Sequence, residues 1–232
     1  MKYTRLFDTV RRHLERLGVA CEIEAGKVAT AKAVARIEAK IQVRLPAELR
    51  EFYQTMGDGF LFRWQTEPED HNGPFASLWV PTLDYLASMY TGWRKIALYS
   101  PEESERYGFP GTKDPALAKR TAARMWHWLP VLEQGNGDMI CLDLGDPGCP
   151  VVFDKHDWMD GGTGDNGHVL APNWRAFLIG WGSVCFQHPK YLYWPFCFRE
   201  GGGVAWDGDQ FRDPYRIPAL AEASAAADRS GG

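Results

Sequence analysis

The sequence mixes helical runs with hairpin-linked strands, the pattern of an α+β fold. Two stretches carry that reading. The first is Ile37 to Trp64, IEAKIQVRLPAELREFYQTMGDGFLFRW: a helix end, a Leu-Pro break, a second helix, a glycine stop and an aromatic strand. The second is Leu129 to Leu144, LPVLEQGNGDMICLDL, in which two strand-like runs flank a Gln134-Gly-Asn-Gly-Asp138 turn signal. At 232 residues, 45% of them hydrophobic and 13% aromatic, one domain with appendages and an ample core is expected.

The elements follow in order. Leu6, Val10, Leu14 and Leu17 line one face of a helix over Arg5–Leu17, which Gly18 stops. Its other face carries Arg5, Arg11, Arg12 and Arg16, read as a solvated face before a partner site. Val19–Ile23 suits a short strand or a loop. Thr30–Ile41 is the next helix, with Val34, Ile37 and Ile41 at helical spacing. Pro46 fits the first turn of the second helix, where its missing N–H is unpaired anyway. Leu49, Phe52, Tyr53 and Met56 form its buried stripe, and Gly57 stands where a left-handed cap is wanted.

Gln65–Pro74 is a polar loop and Phe75–Val80 a strand ending at Pro81. Thr82 caps a helix through Leu83, Leu86, Ala87 and Tyr90. Ser100–Lys113 reads as an exposed insertion, and Asp114-Pro115 opens a helix to about Trp126. In the meander, Ile140, Leu142 and Leu144 alternate with Met139, Cys141 and Asp143. Pro150–Asp154 is a strand and Asp160–Gly167 a loop. Asn173 caps a last helix striped by Trp174, Phe177, Leu178 and Trp181. Beyond Gly182 comes the aromatic run YLYWPFCF, and Ala219–Gly232 is small, polar and expected to fray. The domain reading is therefore a packed N-terminal helix over 1–29, a main domain over 30–182, an aromatic C-terminal extension over 183–218 and a disordered tail over 219–232.

These pieces together resemble the SUKH superfamily, which includes the yeast cell-wall assembly regulator and the bacterial Syd-like proteins. The resemblance rests on LPAELREFYQTMGDG, SLWVPTLDYL, LPVLEQGNGDMICLDL, PVVFDKHDW and NWRAFLIGW, in that order across about residues 30–182. Two features depart from it: a long middle connection over Ser100–Arg124, and the aromatic tail after Phe186. The resemblance implies a curved, mainly antiparallel sheet packed with helices. It also implies a non-enzymatic role, because bacterial members are mostly immunity proteins that bind and neutralise a toxin domain, often a nuclease or deaminase. A regulatory or scaffold protein of the same fold is the alternative.

Net charge is −4, which argues against a nucleic-acid binder and permits a basic partner. The five cysteines include no C-x-x-C pair, so reduced thiols are expected, with Cys141 and Cys185 buried in apolar runs. The start has no apolar stretch of signal-peptide length and no run approaches a membrane span, so a soluble, cytoplasmic protein is the expectation. No Walker loop and no Gly-x-Ser-x-Gly elbow occurs. His156-Asp157, with Asp154 nearby, is the best candidate for hydrolysis or metal binding, but a polar strand end explains it more simply. No cofactor or metal is expected. The partner-binding candidates are Asp138, Asp143, Asp146, Asp154, Asp157, Trp158 and Asp160: an acidic meander side with an aromatic anchor, suited to a toxin with a basic surface.

Overall fold

The computed structural model describes residues 1–66, 73–96, 123–155, 166–189 and 194–230. Its elements are α1 (Tyr3–Arg16), β1 (Cys21–Ala25), α2 (Ala31–Ile41), α3 (Ala47–Thr55), β2 (Phe60–Gln65), β3 (Phe75–Val80), α4 (Leu83–Ile96), β4 (Trp128–Glu133), β5 (Met139–Asp143), β6 (Val151–Asp154), β7 (Val169–Ala171), α5 (Trp174–Gly182), a 3-10 turn (Trp194–Cys197) and α6 (Pro218–Ser230). The insertion over Ser100–Lys113 and the start of the helix after Asp114 lie outside the described residues.

Local signals explain how the elements start and stop. Thr30 Oγ1 accepts the Ala33 N–H at 3.1 Å and starts α2. Gln42 adopts a left-handed φ of 57° and ends it. The Glu38 carboxylate accepts the Leu45 N–H at 2.8 Å, holding the connector that Pro46 turns into α3. Gly57, at φ 128°, answers a closer demand than a helix cap. A Cβ there would lie 2.5 Å from the Gly26 carbonyl oxygen, and one on Gly26 would lie 2.1 Å from the Asp58 carbonyl oxygen. The two glycines let the loop after β1 touch the α3–β2 turn backbone to backbone. Asp58 Oδ1 then accepts the Leu83 N–H at 2.6 Å, so it joins Thr82 in capping α4.

The α+β class holds, but the expected single curved sheet is two antiparallel ladders, β1-β2-β3 and β4-β5-β6-β7. The first is one-sided. Phe60, Phe62 and Trp64 pair with Val80, Leu78 and Ala76 on its buried face. The second is covered on both faces. Ile140, Leu142, Val151 and Phe153 enter the main core, while Cys141 and Val152 meet Trp93, Met125 and Trp128 in a second cluster.

The C-terminal part is core, not appendage. Almost every residue of α5 is buried, so that helix needs cover on all sides. Trp194, Cys197, Val204, Phe211 and Ile217 supply part of it. Residues 219–230, expected to be disordered, belong to α6, which packs on α5 and buries Leu220 and Ser224. Their alanines read as low complexity, yet alanine is the best helix former, and its small side chain suits close packing.

Two stability measurements check this packing. Phe52→Ala, at a fully buried ring, is expected to lose about 3–5 kcal/mol in urea unfolding. Leu220→Asp is expected to lose at least ~2 kcal/mol and expose the tail to protease; an unchanged midpoint would mean that α6 is a solvated appendage.

Candidate functional site

The acidic meander set does not form one exposed face. Asp138, Asp143 and Asp154 are each 2% exposed. Asp138 closes the β4–β5 turn, accepting from Asn136 Nδ2 at 2.8 Å. Asp143 Oδ1 accepts the Gly145 N–H at 3.0 Å and its Oδ2 meets Arg124 Nη2 at 2.9 Å, so its charge is used within the turn. Asp154 ends β6 opposite Met139, and its buried Oδ1 has no hydrogen-bond partner. Of the four described acids, Asp146 alone is exposed, with Oδ1 accepting the Gly148 N–H at 2.8 Å. Asp157, Trp158 and Asp160, with His156, lie outside the described residues. The alternation of β5 misleads because its second face is covered by the Trp93–Met125–Trp128 cluster instead of water.

Chemistry at the buried acids and thiols follows from desolvation. Burial, aided by the Asp138 carboxylate, pushes the Asp154 carboxyl well above the usual carboxylate range. Burial likewise raises the Cys141 thiol and lifts Cys185 to about 12, so neither is a ready thiolate. Among the described residues no group of three or more His, Cys, Asp or Glu converges as a metal site. No helix there is long and apolar enough to cross a membrane. Two of the four arginines on the basic face of α1 are paired with its own acids: Arg11 with Asp8 and Glu15, and Arg12 with Asp8.

The open surface is the outer face of the first sheet. In one cross-strand row Glu24 pairs with Leu61 and Leu61 with Trp79; in the next, Glu22 pairs with Arg63 and Arg63 with Ser77. Trp79 is 39% exposed, and Tyr85 from the first turn of α4 is 43% exposed, their ring centroids 5.3 Å apart. Arg63 Nε lies 2.5 Å from Glu22 Oε2. The Glu24 carboxyl hydrogen-bonds to Glu22, and that contact raises it above its ordinary range. Sequence reading missed this face. The signal was present in the alternation of Leu61, Arg63 and Gln65 against Phe60, Phe62 and Trp64, but alternation does not say which face stays wet.

These features define an α+β domain of two antiparallel sheets, one covered on both sides and one that, among the described residues, has an exposed face. The profile of the SMI1/KNR4 family (SUKH-1) matches residues 28–180, more than half of the chain, and the chain belongs to that family. The match takes in both sheets except β1 and ends within α5. No curated protein matches the chain.

Replacing Asp154 tests its protonation. The folded carboxyl keeps its proton at pH values where the unfolded one has lost it. Wild-type stability attributable to this group is therefore fully present below the unfolded pKa of about 4 and falls by about 1.4 kcal/mol per pH unit above it, until the folded pKa is reached. Asp154→Asn removes that slope, so its stability relative to wild type is expected to grow as pH rises from 4. Parallel urea-midpoint profiles for the two proteins would show that Asp154 is ionised in the fold.

Proposed function

We propose that this chain is an immunity protein that binds and neutralises a cognate bacterial toxin domain by forming a direct complex, nuclease and deaminase domains being the first candidates. Membership of the SMI1/KNR4 (SUKH-1) family, matched over residues 28–180, is the observation that carries this reading. The role asks for a stable scaffold and an accessible surface, because covering a toxin's substrate groove blocks it without chemistry. Thiols at Cys141 and Cys185 that burial holds away from the thiolate form are in keeping with a non-enzymatic role. The place of action is then the cytoplasm, where a delivered toxin meets its target. Asp146, with Asp157 and Asp160 further along the chain, is proposed to add negative charge that attracts a basic toxin surface, with Trp158 as an apolar anchor.

Co-expression tests this. The toxin-domain protein encoded beside this chain is expected to stop growth alone, and co-expression of this chain is expected to restore it. The two proteins are expected to co-elute as a stoichiometric complex. Rescue without a complex, or a complex without rescue, would overturn neutralisation by direct binding.

A further inference from the structure

Among the described residues the first sheet buries one face and, apart from the His188 ring against Phe75, leaves the other exposed, and what stands on that face is unusual for a surface that meets only water. Trp64, Trp128, Trp174, Trp181 and Trp194 are buried, whereas Trp79 keeps 39% of its surface exposed with Tyr85 beside it. Leu61 continues the apolar strip across β2, and Arg63 borders it in the next row. Tryptophan, tyrosine and arginine are the side chains that dominate binding energy at protein interfaces, where polar neighbours exclude water from a central aromatic anchor. Ser77, Glu22 and Glu24 supply such a border here.

The charges on this face specify what it would accept. Arg63 is committed to Glu22. Glu24 lies beside Glu22 on the same strand face and feels the same Arg63, so two carboxylates share one guanidinium and the group keeps an excess of negative charge. On the Tyr85 side, Asp84 is already met by Arg36 and Lys40. A cation is therefore wanted at the β1 edge and an apolar group at the β3 side, two strands away. With neighbouring strands about 4.8 Å apart, those two points are separated by roughly 10 Å.

We infer that the outer face of the first sheet is the docking surface for the toxin. The toxin presents a basic patch to it, an arginine or lysine settling on Glu22 and Glu24 and an apolar side chain on Leu61, Trp79 and Tyr85. The inference rests on the immunity reading and adds to it the place and the chemistry of contact. Burying the aromatic pair sets the lifetime of the complex, and the carboxylates set the encounter rate and register.

The test uses the full chain and a catalytically inactive form of the toxin-domain protein encoded beside it, with association and dissociation followed by biolayer interferometry at two salt concentrations. Trp79→Ala is expected to weaken binding by about tenfold or more through faster dissociation, while Trp79→Tyr, which keeps an exposed ring, retains most of the affinity. Glu24→Lys is expected to weaken binding by about tenfold or more through slower association, and to flatten its salt dependence. Glu222→Lys, on the exposed side of α6, is the control and is expected to change neither rate. Wild-type binding with Trp79→Ala and Glu24→Lys both within about twofold would overturn this surface and leave the immunity reading standing. Tighter binding by Glu24→Lys would overturn the basic patch. Failure of the wild-type chain to bind would instead overturn the immunity reading, and this inference with it.

Discussion

The ring of Phe52 is where the helices are tied to the first sheet. It lies 5.1 Å from Tyr3 of α1, 5.6 Å from Phe60 of β2 and 6.0 Å from Trp174 of α5, each in an edge-on arrangement. Polar contacts close the same junction. Tyr3 donates its hydroxyl to the Glu48 carbonyl at 3.0 Å, and Arg175 reaches Glu51 at 2.5 Å while its guanidinium lies 4.7 Å over the Tyr3 ring. The N-terminal helix falls outside the residues the family profile matches, yet it is bound to them by the same rings that form their core.

That junction decides which surfaces stay free. With α1 and α3 packed on one face of the first sheet, the opposite face, among the described residues, meets the His188 ring at Phe75 and otherwise carries exposed side chains, the Trp79 and Tyr85 rings among them. The second sheet has no such freedom: α4 and the chain around Met125 cover one side and the main core the other. Carboxylates at its strand ends must then be satisfied internally or lose their charge. Asp143 does the former through Arg124 and Gly145; burial pushes Asp154 toward the latter. Acids that look like an electrostatic surface on paper thus act as turn and strand-end fittings, and Asp146 remains as a surface charge.

For a protein proposed to work by occlusion, this division of labour is coherent. The stretch from Ile37 to Trp64 supplies α3 and β2, hence the central ring and the middle strand of the open sheet. Its inward residues build the scaffold, and Leu61 and Arg63 lie on the other side of the same strand, on the face proposed for a partner. Scaffold and contact surface alternate residue by residue along β2, which couples the rigidity of the core to the geometry of the face it displays.

The sequence alone determined the local grammar. The Thr30 and Asn173 caps, the Pro46 break, the Gln134–Asp138 turn and the helical stripe of Leu49, Phe52 and Tyr53 are each set by residues within one turn or hairpin of one another. Their order also carried the family. What only the tertiary structure decided was which face of each element is dry. Alternation in β5 and β2 looks equally amphipathic, but cover from Trp93, Met125 and Trp128 buries the second face of one, and the other stays open. The split into two sheets and the docking of α6 on α5 belong to the same category. Burial depends on segments distant in the chain, and a residue's own neighbours hold no record of what will come to rest on it.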